Sequence, residues 1–280
     1  MKTTCPECGK HNFYVANGFG YCFNCFYKQN IDGSAVQDRV RSDYIEDIRA
    51  LYKELAYYYH SCLSTSHRKY LLDRGITDDD ITRLKIGYCP NSFHIAYKSH
   101  IAKEAGIFNK VPHLEGRIIF PYWYYDEITN LQGRAYDCTD ISRKYLLPFH
   151  SSYYRGADYA FTSKIEYKGS LCVITEGPIK AILSARLFET YGLAGTNSLT
   201  KIPYPYEQYV LCFDNQRKNR KQLIYAIRRA ADNYGSKVAT LPLYGKDKQD
   251  IDSFILDYGL EEYRKIIEQA IDIEQWRKYA

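Results

Sequence analysis

Between Leu171 and Leu243 three short apolar runs alternate with two amphipathic stretches, and this alternation constrains the fold more than any other feature of the chain. Leu171 to Thr175 runs into Glu176-Gly177, and Pro178 to Glu189 follows with helical spacing. Tyr209 to Phe213 runs into Asp214-Asn215, Asn219 to Asn233 is again helical by pattern, and Lys237 to Leu243 is a third strand. Strand, helix, strand, helix, strand predicts parallel pairing with helical crossovers. The predicted fold class is α/β. In an open parallel sheet the functional rim lies past the carboxyl ends of the strands. Glu176, Asp214 and the pair Asp250/Asp252 all fall there, a pattern that suits a magnesium pocket built from hard oxygen ligands. Acids in such places also serve as helix caps, and Asp252 before Ser253-Phe254-Ile255 fits that reading too.

Composition agrees with a folded chain. Of 280 residues, 45% are hydrophobic and 25% charged, which argues against wholesale disorder. The formal charge of +5 permits a polyanionic partner without requiring one. The sequence has no apolar stretch of membrane-spanning length, and its first residues run straight into cysteines, with no signal-peptide pattern. The expectation is a protein that is neither secreted nor membrane-inserted. The 30 tyrosines are explained first by coding bias, with stacking on bases as a second use for some of them.

Four of the nine cysteines form two Cys-x-x-Cys pairs, Cys5/Cys8 and Cys22/Cys25, with thirteen residues between the pairs. That spacing predicts a four-thiolate zinc ribbon over residues 1–30, the loop folding back at Gly18 and Gly20 so that the pairs meet. Four protein ligands leave no open position, so this zinc is structural, and it supplies folding energy that so small a block lacks. The remaining cysteines, Cys62, Cys89, Cys138, Cys172 and Cys212, are scattered singly and read as reduced thiols of a cytosolic protein. Lys2, Lys10 and Lys28 interleave with Phe13, Tyr14, Phe19, Tyr21, Phe23 and Tyr27, a mix that suits single-stranded nucleic acid or, for some rings, a small core.

Residues 31–43 are polar and read as a linker. From Tyr44 apolar positions recur at helical spacing to about Ser61, Ser66 is a cap candidate for the next helix, and Thr77-Asp78 for a third over Asp79 to Leu84. Ile118 to Phe120 and Gln132 to Tyr136 read as short extended runs on either side of a turn-rich interruption. Residues 215–231 carry Arg217, Lys218, Arg220, Lys221, Arg228 and Arg229 without an acid. Lys218 and Lys221, and Lys221 and Arg228, share helical faces, which reads as a phosphate-contact ridge or a solvated face.

Thr175-Glu176-Gly177-Pro178-Ile179-Lys180-Ala181, Leu211-Cys212-Phe213-Asp214 and Asp250-Ile251-Asp252 together resemble the toprim domain shared by DnaG-type primases, type IA and II topoisomerases and some nucleases. Upstream, Tyr70-Leu71-Leu72-Asp73-Arg74-Gly75-Ile76 with Ile86-Gly87-Tyr88 resembles the helical opening of the bacterial primase core. Gly116-Arg117-Ile118-Ile119-Phe120-Pro121, Gly133-Arg134 and Lys144-Tyr145-Leu146 resemble its basic subdomain. Each motif is weak by itself; the set stands in the primase's order. The resemblance implies a zinc ribbon (1–30), a linker (31–43), a basic/helical part (44–168) and a toprim part (169–258) of a mixed α+β primase core, and a helical tail (259–280).

It further implies RNA primer synthesis from ribonucleoside triphosphates on a single-stranded DNA template, with magnesium or manganese. Glu176, Asp214, Asp250 and Asp252 would carry catalysis and the divalent ions. Arg117, Arg134, Lys144, Arg155, Lys180, Lys218 and Lys221 would hold triphosphate or template. Two positions depart from the family pattern: Gln216 stands where a second Asp-x-Asp carboxylate is usual, and Lys180 where an acid is common, one turn from Glu176 and able to pair with it. A non-catalytic DNA-binding replication protein is therefore the alternative, and a toprim nuclease a further one. With no phosphate-loop motif near the end of the chain, the expectation is a compact phage-, plasmid- or mobile-element-like form. It would act in the bacterial cytosol or nucleoid with a separately supplied helicase or replisome protein.

Overall fold

The expected strand–helix alternation forms one sheet. Four parallel strands, β14 (Lys237–Thr240), β12 (Gln208–Phe213), β10 (Leu171–Glu176) and β11 (Glu189–Leu193), lie in that spatial order. They are flanked by antiparallel edges, β16 (Ile271–Asp272) beside β14 and β9 (Phe161–Thr162) beside β11. This computed structural model describes residues 2–6, 9, 11, 13–16, 19–22, 28–30, 45–90, 114–124, 126–138, 144–148, 160–163, 170–194, 202, 206–218, 220–234 and 236–279. The expected linker 31–43, Gly18, and the candidate residues Cys8, Cys25 and Arg155 lie outside the described residues. The chain divides into two units, residues 1–40 and 41–280.

In the first unit, β1 (Lys2–Thr3), β2 (Phe13–Ala16), β3 (Phe19–Cys22) and β4 (Lys28–Asn30) form an antiparallel sheet in that order. Cys5 is buried, and Gly9 N donates to Cys5 O at 2.9 Å with Gly9 at φ +67°. That hydrogen bond closes a tight turn around Cys5 that only a left-handed residue completes easily.

In the second unit the helix expected from Tyr44 is α1 (Ile45–Ser61). Its buried face of Ile48, Leu51, Tyr52, Leu55 and Tyr59 packs on an antiparallel sheet. The strands of that sheet are β5 (Gly87–Cys89), β6 (Arg117–Tyr124), β7 (Glu127–Ala135) and β8 (Tyr145–Leu146). The extended runs expected as separate pieces are thus a continuous β6–β7 hairpin with a bulge at Tyr122/Trp123. Helix α2 (Thr65–Leu72) is capped by Ser64 rather than Ser66: Ser64 Oγ accepts from His67 N, and His67 Nδ1 accepts from Ser64 N at 3.1 Å. Thr77 caps α3 (Asp78–Arg83) as expected, in a reciprocal box with Asp80.

Alternate residues of the parallel strands feed two cores. Val173, Val210, Cys212 and Ala239 face α4 (Pro178–Ser184), α6 (Ile251–Tyr258) and α7 (Leu260–Glu268). The same core takes in Leu71, Ile76, Ile118 and Phe120, so the helical opening and the antiparallel sheet share it with the parallel sheet. On the opposite face Cys172, Ile174, Leu211 and Phe213 pack with Leu223, Ile227 and Ala230 of α5 (Arg220–Tyr234) and with Trp276 of α8 (Ile273–Tyr279). The helix expected to run to Glu189 stops at Ser184. Residues 189–193 are instead a strand, because Gly192 lets the backbone lie against the turn after β10: a Cβ there would stand 2.4 Å from Gly177 O. The expected third strand ends at Thr240, short of Leu243. Many tyrosines are core residues, Tyr52, Tyr59, Tyr122 and Tyr263 among them. Among the described residues no helix is long and apolar enough to cross a membrane.

Candidate active site

Glu176 ends β10, and Gly177, at φ +73°, turns the chain directly into α4. The turn is locked by Gly177 N donating to Leu193 O at 2.8 Å. Asp214 follows β12. Immediately beyond it, β13 (Asn215–Gln216) pairs antiparallel with β15 (Lys248–Gln249), Asn215 opposite Gln249 and Gln216 opposite Lys248. Continuing that register by one position sets Asp214 opposite Asp250, the N-cap residue of α6. A two-stranded ribbon invisible to the hydrophobic pattern thus brings together carboxylates 36 positions apart in sequence. It also accounts for Gln216, which is a ribbon residue facing Lys248.

Lys180, one turn along α4 from Glu176, reaches across to β12. Its Nζ donates to Asp214 Oδ2 at 2.5 Å, and the residue is 9% exposed. Lys180 therefore pairs directly with Asp214, not with Glu176. Lys248 Nζ lies 2.6 Å from Asp250 Oδ1 and 3.4 Å from Asp214 Oδ2. Burial raises the Glu176 carboxyl to about 7, with Lys180 opposing and Asp214 adding to the rise. Asp214 is likewise raised by burial against the pull of Lys180. Burial would raise Asp250 too, but hydrogen bonding with Asp214 and Lys248 holds it down at about 2. Two neighbouring carboxyls pushed in opposite directions by their surroundings are a mark of functional sites.

A second wall comes from the helical opening and the antiparallel sheet. Arg74 Nη1 donates to Asp252 Oδ2 at 2.9 Å and stacks over Tyr70, 5.0 Å from the ring centre. Arg134 donates to the hydroxyls of Tyr70 and Tyr145, both at 2.5 Å. The Tyr145 ring borders Gly177. Lys144 is held below its usual range by partial burial and by the charges of Arg134, Lys180 and Lys248. Arg134, Lys144, Lys180 and Lys248 thus crowd one rim, which attracts a polyphosphate.

The remaining expected cations divide. Arg117 is 2% exposed and packs against Gly133 inside the hairpin, so in this arrangement it has no access to a phosphate. Lys218 and Lys221 are exposed, as is Arg228. Lys248, Arg74 and Tyr145 were not singled out as site residues in the sequence. The signal available for Lys248 was its place two residues before Asp250.

As a test of fit for divalent ions, Asp214 Oδ1 is buried with no donor against it among the described residues, and the Asp250 carboxylate lies within hydrogen-bonding reach of that carboxyl. This pair fits one hard cation. A larger cage does not form: among the described residues no three His, Cys, Asp or Glu side chains converge to hold a metal, and Asp252 is held by Arg74.

No protein-family model matches the chain. In sequence it is 26% identical over 266 residues to the DNA primase of Haemophilus influenzae, covering 81% of this chain and 42% of that protein. To the DNA primase of Pasteurella multocida it is 23% identical over 264 residues, covering 81% and 43%. Among solved structures, a DNA primase domain from Pseudomonas aeruginosa superposes with a TM-score of 0.65 at 19% identity, covering 82% of this chain and 81% of that one. The chain is thus similar in sequence to bacterial DNA primases and shares the fold of the DnaG primase catalytic core. The primase likeness extends further: the zinc-binding and RNA polymerase domains of the Aquifex aeolicus primase give a TM-score of 0.61 at 17% identity, covering 97% of this chain and 79% of that one. A DnaG primase catalytic domain bound to single-stranded DNA gives 0.60 at 20% identity, covering 83% and 84%. The chain spans about two-fifths of the length of the primases it matches in sequence.

Proposed function

We propose that the protein synthesises RNA primers from ribonucleoside triphosphates on single-stranded DNA. The observation that carries this reading is the pair of the buried Asp214 and the half-buried Asp250, with the cations Arg134, Lys144, Lys180 and Lys248 around it, on a primase core fold. A magnesium or manganese ion on the Asp214–Asp250 pair would supply charge neutralisation at the reacting phosphate. The chain's own residues orient the rest. Lys144 and Lys248, at the open side of the site, meet the triphosphate oxygens. Arg134, pinned between two phenols, keeps the cationic wall in register with the strand-end turn. Glu176, whose carboxyl stays partly protonated near neutrality, is placed to exchange a proton with the attacking hydroxyl. The exposed ridge of Lys218, Lys221 and Arg228 tracks the template backbone.

Zinc on Cys5, Cys8, Cys22 and Cys25 holds residues 1–30, a reading supported by the turn at Cys5–Gly9 and by the Aquifex likeness. The boundaries 1–30, 31–43, 44–168, 169–258 and 259–280 remain part of the proposal, as do a bacterial cytosolic setting and a separately supplied helicase. Single-stranded templates, labelled ribonucleotides and manganese test the reading. Short RNA on a gel is the expected result. Tight template binding with no product under either metal would instead favour a non-catalytic DNA-binding protein.

A further inference from the structure

Two ammonium groups stand inside the carboxylate cluster, and they differ in freedom. The Lys180 side chain is 11% exposed, bonded to an Asp214 that is itself buried, and threaded between α4 and β12. The Lys248 side chain is 43% exposed and sits on the short β15 strand, so its head can swing into water. Asp214 offers two oxygens. Oδ2 is bonded by Lys180 and also lies 3.4 Å from Lys248, whereas Oδ1 is buried with no donor among the described residues. An ammonium and a divalent ion compete for the same carboxylate oxygen, and a buried ion pair cannot lose one partner without leaving the other uncompensated. Of the two ammoniums near Oδ2, the buried Lys180 at 2.5 Å is therefore fixed, and the more exposed Lys248, at 3.4 Å and bound mainly to Asp250, is exchangeable.

We propose that Lys180 permanently fills one cation position in this cluster, so that the site takes one divalent ion fewer than it does when an acid occupies position 180. The exchangeable position lies on the Asp214–Asp250 side, where an incoming ion displaces Lys248. This makes Lys180 a tethered counter-ion that keeps the carboxylates assembled before any metal arrives. It rests on the nucleotidyl-transfer reading only for what the bound ion later does.

The test counts Mn²⁺ ions by electron paramagnetic resonance in the full-length, zinc-loaded chain, comparing wild type with Lys180→Glu. One additional Mn²⁺ per chain in the variant is expected; equal counts overturn the proposal. Lys180→Gln keeps the test open if the glutamate variant fails to fold. Its melting temperature without added metal should fall below wild type, and Mn²⁺ should raise it by more than it raises wild type. A metal-free Lys180→Gln as stable as wild type would also overturn it. Neither readout needs turnover. A wild type that makes no primers but gains an ion on Lys180→Glu sinks the enzymatic reading alone, and equal counts with active wild type sink this one alone.

Discussion

At the scale of single residues, burial decides what each charge at the site can do. Glu176 is the clearest case, its carboxyl raised to about 7 chiefly by burial. A carboxyl with a folded-state value above its ordinary 4.5 favours the folded chain only while protonated. That contribution is full below pH 4.5 and is lost as pH rises through about 7. Glutamine stays neutral throughout, so Glu176→Gln should be more stable than wild type at pH 7.5 by about 1–3 kcal/mol. The advantage should shrink toward pH 4.5; urea unfolding at both pH values without added divalent metal checks it, and equal stability at both contradicts it. Glu176 and Asp214 stood out in the sequence because each directly follows an apolar run, whereas Asp250 and Asp252 lie seven and nine positions past Leu243. The counter-ions were less so: Arg117 looked like a phosphate ligand yet is a core residue, since nothing in its neighbours' pattern reveals that Gly133 opens a slot for it. Lys248 became a site residue only through the β13–β15 register.

At the scale of elements, hydrophobic periodicity located α1, α5, β10 and β12 to within about a residue or two, because each buries a regular face. It missed β11, whose Glu189 and Gly192 break the strand pattern, and β16, two residues too short to carry one. Gly192 is the element-level test. Gly192→Ala would drive a methyl to 2.4 Å from Gly177 O, in the turn that aims Glu176. A loss of about 1–3 kcal/mol and a marked drop in activity are expected, read by thermal unfolding and primer yield; a variant at wild-type stability would show that the approach is looser than described. The exposed face of α5 gives a second test. Replacing Lys221 and Arg228 by glutamine removes two cations, and the slope of log affinity against log salt for single-stranded DNA should become shallower by about 1.4. An unchanged slope would place the template elsewhere.

At the scale of the whole molecule, the division into residues 1–40 and 41–280 predicts separable behaviour. Chelating zinc should make residues 1–40 sensitive to protease while 41–280 keeps its melting temperature. Joint melting of both units would contradict that independence. Within 41–280 the helical opening, the antiparallel sheet and the parallel sheet share one core, and Arg74 and Arg134 carry that union to the carboxylate rim. The central claim is that strand-end carboxylates join nucleotides here. Its most direct measurement is primer yield from wild type and Asp214→Asn side by side, on one template with manganese and ribonucleotides, with template affinity recorded for both. The account predicts short RNA from wild type and none from the variant at unchanged affinity; equal yield from Asp214→Asn would contradict it.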